Sequence, residues 1–174
     1  MSRRFPKAPS CMSRTEFVDC FGGIYEHSAW VAEQLFDAGI TSAHADPTGM
    51  ANAMASIVDA ASRQQRMTLI RAHPDLAGRA AVAGTLTAES TTEQSRAGLD
   101  QCSAEEFDRF QSLNDAYKSR FEMPFIKAVR HSNRHEILQA FESRLPNTRE
   151  VEFENAIREI HQIARWRLEA MIDG

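Results

Sequence analysis

The chain has 174 residues, 43% of them hydrophobic and 25% charged, with a formal net charge of -4. That length suits one ordinary folded domain with a sizeable core. The acidic balance argues against nonspecific nucleic-acid binding, which needs a basic face, and no apolar run approaches the roughly 20 residues of a membrane span.

The start, Met1 to Ser13, carries Arg3, Arg4 and Lys7 but no apolar stretch, so it does not read as a secretory signal. With Pro6 and Pro9, residues 1–12 are expected as a disordered arm, and residues 13–174 as one all-helical domain. Ser13 with Glu16 makes a capping box, in which a hydroxyl and a carboxylate satisfy the first free amides of a helix. Phe17 and Phe21 share a face of that helix, and Gly22-Gly23 interrupts it. A second helix is expected from Ile24 to Ala38, stopped by Gly39, with His27 buried and hydrogen-bonded. Asp46 caps a third, with Pro47 in its first turn and an apolar face through Met50, Met54, Ile57 and Val58. A fourth runs from about Gln64 to Ala72. The alanine- and glycine-rich piece after Leu76 predicts a short helix before Thr85.

Ser90 with Glu93 reads as the next capping box, and Ser103 with Glu106 as another, ahead of Phe107, Phe110, Leu113, Tyr117 and Phe121. Met123-Pro124-Phe125-Ile126 breaks the pattern, because proline disfavours helix in the residue before it; this segment predicts an extended crossover. Asn133 with Glu136 starts a helix that ends before Pro146, and Thr148 starts the last and longest one. Strand alternation, repeats and linkers are missing from the sequence. The expected fold is all-α, a single-domain, bundle-like array of helices.

Cys11, Cys20 and Cys102 form neither a disulfide framework nor a zinc pattern, so each reads as a small buried or half-buried thiol. The C-terminal Met171-Ile172-Asp173-Gly174 is not a peroxisomal address. The expected compartment is a reducing cytoplasm. His131 and His135 have the spacing of two ligands on one helix, but Asn133 between them reads as a cap that would split the pair. No metal site is expected. His44 is expected to be exposed, and His161 to lie on the polar side of the last helix.

Three groups stand out chemically. His73 leads into the proline-stiffened turn Pro74-Asp75-Leu76. Imidazole titrates near neutrality and is the usual proton-transfer group, although a histidine there also reads as a helix-end cap. Ser90, Glu93 and Gln94 open a helix, where a capping box alone would account for the first two. Arg167 falls on the apolar stripe of the last helix, three after Ala164 and four before Met171, and Arg165 does not. An inward guanidinium needs a carboxylate, carbonyls or a bound anion, so an internal salt bridge and an anion site both fit.

In order and spacing these segments resemble one family. They are Phe21-Gly22-Gly23-Ile24-Tyr25-Glu26-His27-Ser28, Arg71-Ala72-His73-Pro74-Asp75-Leu76-Ala77-Gly78, Ser90-Thr91-Thr92-Glu93-Gln94, Pro124-Phe125-Ile126 and Arg167-Leu168. The chain, from about Phe17 to Ile172, is similar to the 2-oxo-4-hydroxy-4-carboxy-5-ureidoimidazoline (OHCU) decarboxylases of uric acid, or purine, catabolism. The resemblance implies an all-α, homodimeric, cofactor-free lyase yielding (S)-allantoin. It implies His73 and Glu93 as catalytic residues, Ser90, Gln94 and Arg167 as substrate-binding ones, Pro74 lining the pocket, and backbone groups of Phe125 and Ile126 on the substrate ring. On this reading His73, Glu93 and Arg167 surround one small cavity. Two alternatives use the same residues: a ring-opening hydrolase of a related ureide, and a non-catalytic helical module that binds an anion.

Overall fold

The computed structural model describes residues 3–78 and 83–173. The short helix expected after Leu76 falls mostly on residues 79–82, outside the described residues. Everything described is helix or connecting turn, so the all-α expectation holds. Clustering of the backbone divides the chain into two compact units, Met1–Ala72 with His161–Gly174, and His73–Ile160.

The first unit contains α1 (Arg14–Phe21), α2 (Trp30–Ala38), α3 (Pro47–Ala60) and α4 (Arg63–Arg71). Ser13 and Glu16 form the expected capping box, and Asp46 Oδ1 accepts from the Gly49 amide at the start of α3. The cap of α4 is Ser62, paired with Gln65. Phe17, Phe21, Met50, Met54 and Val58 are fully buried. Phe17 lies 4.8 Å from Phe21 and 5.5 Å from Phe36, ring centre to ring centre. Each such side chain, removed from water, contributes about 1.5–3 kcal/mol. Residues of the N-terminal segment join in: Phe5 is buried, 5.1 Å from the Phe21 ring, and its amide donates to Ala45 O.

The expected helix from Ile24 is shorter than its sequence suggests. Helix begins only at Trp30, because His27 adopts φ 45° and turns the chain back on itself. His27 is therefore exposed, against the expectation of a buried imidazole, while Tyr25, Glu26 and Ser28 on either side are buried. His161 also differs: it is half-buried, with Nδ1 2.9 Å from the Tyr25 hydroxyl and Nε2 2.9 Å from Asp59 Oδ1. His44 is half-buried, its Nδ1 accepting from the Thr41 amide. Cys11 and Cys20 are exposed rather than buried, and Cys102 is half-buried.

The second unit contains α5 (Ala88–Arg96), α6 (Ala104–Phe121) and α7 (Arg134–Arg144). It also holds the first part of α8 (Arg149–Ala170), whose later residues belong to the first unit. Ser103 with Glu106 and Asn133 with Glu136 are capping boxes as expected, and His131 and His135 fall on opposite sides of the α7 start. The core is aromatic. Phe110, Tyr117, Phe125, Phe141 and Phe153 are all at most 1% exposed. Phe125 stacks on Phe141 at 3.8 Å, and Tyr117 meets Phe125 edge-on at 5.2 Å. Residues 123–126 lie outside any helix, between α6 and α7, and are buried.

Candidate functional site

The start of α5 differs from the sequence expectation in a way that changes the meaning of its residues. Thr87 is the cap, accepting from the Ser90 amide at 3.2 Å, so Ser90 and Glu93 do not form a capping box. They lie inside the helix. Ser90, Glu93, Gln94 and Ala97 then follow at helical spacing and share one face. Ser90 is 4% exposed, Gln94 5% and Ala97 4%. The capping explanation for a serine and a carboxylate at these positions is thereby removed.

His73 follows the end of α4 by two residues and is 8% exposed. The turn it leads into is held from several sides. Gln94 Oε1 accepts from the Ala77 amide at 3.0 Å, and Gln94 Nε2 donates to Asp75 O at 3.2 Å. From α6, Asn114 Nδ2 donates to Leu76 O at 2.9 Å and Gln111 Nε2 to Ala77 O at 2.8 Å. Lys118 pairs with the Asp75 carboxylate at 2.6 Å. These bonds hold Ala77 at φ 50°, a left-handed conformation that costs a non-glycine residue about 1–2 kcal/mol. At Gly78 a Cβ would come within 2.6 Å of the Asp75 Cβ, so the close approach requires glycine. The His73-Pro74 turn is thus a strained loop fixed by three carboxamides, and Gln94 belongs to that clamp.

Phe125 and Ile126 are buried in the non-helical crossover between α6 and α7. Ile126 O accepts from Arg144 Nη1 at 2.7 Å. Among the described residues, no acceptor takes the backbone N–H of Phe125 or Ile126.

Arg167 belongs to the first unit, whereas His73, Pro74, Ser90, Glu93, Gln94, Phe125 and Ile126 belong to the second. Arg167 does face inward, at 7% exposure, as its place on the apolar stripe predicts. Its Nη2 is 2.9 Å from Glu26 Oε2, a buried ion pair. Nη1 reaches Gly23 O at 3.5 Å and Ile24 O at 3.4 Å. Those two contacts are at the long limit of hydrogen bonding. The salt-bridge alternative is therefore real, and the loop preceding α2 provides it. The guanidinium is oriented by Glu26 but only loosely held by the carbonyls.

Sequence reasoning missed Glu26, Arg144 and Glu152. The last two were findable. Glu152 is four residues before Ala156 and eight before Ile160, on the same buried stripe that exposes Arg167 as unusual. Arg144 is three residues beyond the buried Phe141 on α7.

The family model described as OHCU decarboxylase matches residues 10–169. A 2-oxo-4-hydroxy-4-carboxy-5-ureidoimidazoline decarboxylase of Halalkalicoccus jeotgali is 39% identical over 158 residues, covering 91% of this chain and 86% of its own. One from Haloferax volcanii is 41% identical over 152 residues, covering 87% and 86%. Among solved structures, that of an (S)-allantoin synthase is similar with a TM-score of 0.74 at 35% identity, covering 95% of this chain and 52% of the other. With a family model spanning most of its length and relatives this similar over most of theirs, the chain belongs to the OHCU decarboxylase family.

Proposed function

We propose that the protein decarboxylates 2-oxo-4-hydroxy-4-carboxy-5-ureidoimidazoline to (S)-allantoin in uric acid degradation. The observation that carries this reading is the family match over residues 10–169, which takes in every candidate residue. The clamped His73 turn and the buried Ser90–Gln94 face support it, because catalytic groups need fixed geometry.

The chemistry suits these groups. Breaking the bond to the carboxylate releases CO2 and leaves its electron pair on the ring carbon that bears the hydroxyl. The neighbouring unsaturated ring carbon takes part in delocalising that pair, so the substrate serves as its own electron sink. That pair forms a double bond to the neighbouring carbon, whose C=N π pair moves onto nitrogen and takes up a proton from solvent. The enol hydroxyl then loses its proton to become the carbonyl of allantoin, and a proton is added to one face of the neighbouring carbon. His73 and Glu93 manage these two protons as a coupled pair. Proton transfer by a placed group contributes ~10²–10⁴-fold.

Arg167 holds a carbonyl or ureido oxygen, exchanging its long contacts to Gly23 and Ile24 for a stronger acceptor. Ser90 reads the ring edge. Gln94 spends one N–H and one lone pair on the 75–77 turn and retains one of each for substrate. The Phe125 and Ile126 amides bind the ring, and Pro74 lines the pocket. Donors aimed at developing charge contribute about 3 kcal/mol each. A cytoplasmic homodimer completes the reading. Among the described residues no helix is long and apolar enough to cross a membrane.

Carbon-13 NMR of the product in ¹⁸O-labelled water tests the reaction type. Decarboxylation releases labelled CO2 from a carboxyl-labelled substrate and puts no solvent oxygen into the ureide. Retention of the carboxyl carbon, with one solvent oxygen incorporated, would establish the ring-opening hydrolase instead.

A further inference from the structure

Two charged side chains of the second unit, the buried Glu152 and the half-buried Arg144, have no part in the proton chemistry. Glu152 is completely buried. Its Oε1 accepts from the Tyr117 hydroxyl at 2.6 Å and from Arg144 Nε at 2.8 Å. Its Oε2 accepts from Asn155 Nδ2 at 2.6 Å and Asn147 Nδ2 at 3.0 Å. Four donors thus converge on one carboxylate and lock it in place. A buried ion pair stabilises a fold no better than apolar residues of the same shape, so stability alone does not account for this arrangement.

The other end of Arg144 does. Its Nη1 donates to Ile126 O at 2.7 Å, and its guanidinium carbon stands 4.3 Å from the centre of the Phe125 ring. That ring is itself stacked on Phe141. One guanidinium therefore fixes the side chain of Phe125 and the peptide leaving Ile126. Two residues on, the Ala128 amide donates to Glu159 Oε2 at 2.7 Å and secures the far end of the crossover. The crossover has no helix or sheet ladder of its own to hold it, so these side chains set its backbone.

We infer that Arg144, anchored by Glu152, is a positioning residue that aims the Phe125 and Ile126 amides at the substrate ring; this rests on the reading of those amides as substrate contacts. Lysine at 144 keeps the charge but lacks the planar fork that reaches Glu152 and Ile126 together.

The test uses the full chain labelled with ¹⁵N, with (S)-allantoin as the binding probe. In the wild type, saturating allantoin shifts the Phe125 and Ile126 amide resonances. In Arg144→Lys those two amides move in the free protein, and KM for OHCU rises about tenfold, the loss of one charge-assisted bond, while kcat changes less than threefold. Glu152→Gln, which keeps the shape and an acceptor, shows a smaller rise in the same direction and serves if the lysine variant does not fold. Ser143→Ala, on the exposed side of α7, leaves both constants unchanged. An unchanged KM in both variants, or a loss confined to kcat, overturns the positioning role. Wild-type amides at 125 and 126 that ignore allantoin overturn the substrate-contact reading beneath it, and the inference with it.

Discussion

Replacing Gln94 with leucine keeps nearly the same volume and removes two hydrogen bonds from the turn that carries His73. The Ala77 amide and the Asp75 carbonyl lose their partner, and Ala77 is only 3% exposed. Each buried backbone group left unpaired costs about 1–3 kcal/mol. The more apolar side chain offsets about 1–2 kcal/mol of that, and the loosened turn regains some water. A net loss of about 2 kcal/mol is expected, read as a lower urea midpoint in far-ultraviolet circular dichroism with an unchanged slope. Turnover falls as well, because Asp75 is two residues from His73, and displacement of a catalytic group by about 1 Å costs up to ~10²-fold. Thr91→Ala, exposed on the same helix, serves as the comparison and stays within about 0.5 kcal/mol of the wild type. A Gln94→Leu protein as stable and as fast as the wild type would refute the clamp.

Other predictions concern the chemistry and the buried charges. His73→Asn and Glu93→Gln each lower kcat by ~10²–10⁴-fold in steady-state assays and change KM little; a folded His73→Asn variant with normal turnover would end its acid/base role. Arg167→Ala raises KM, and Arg167→Lys restores it poorly because the planar fork is lost; an unchanged KM in Arg167→Ala counts against substrate binding. Glu152 supplies a pH dependence. Burial raises its pKa, but hydrogen bonds from Tyr117, Asn147 and Asn155 and the charge of Arg144 outweigh this and leave it below the usual carboxylate range. A depressed folded pKa means that stabilisation is complete above the unfolded value, near ~4.3, and is lost as pH falls through the lower folded value. Glu152→Gln should therefore be less stable at pH 7, yet lose less stability than the wild type between about pH 5 and 3; parallel acid-unfolding curves would contradict this.

The helices were legible wherever a local signal settled the question. Ser13, Asp46, Ser103 and Asn133 cap as their sequences predict, since capping depends on residues within one turn. The failures share a cause. At Ser90 the pattern of a capping box was present, but Thr87 supplied a competing cap three residues earlier and took the helix start. At Ile24 the apolar spacing continued through a segment whose backbone is reversed at His27, a conformation that histidine does not announce. Arg167 was readable because a charge on an apolar stripe is conspicuous. Its partner Glu26 was not, because a pairing between positions so far apart in sequence depends on tertiary contact. The clamp on the His73 turn was illegible for the same reason: Gln94, Gln111 and Asn114 look like ordinary surface amides until the turn closes against them.

The most direct measurement is circular dichroism of OHCU freshly generated from urate and mixed with the purified protein. The account predicts rapid growth of the circular dichroism of a single allantoin enantiomer, the S form, in proportion to protein concentration and abolished in His73→Asn. Racemic allantoin forming at the spontaneous rate, whatever the amount of protein added, would contradict it.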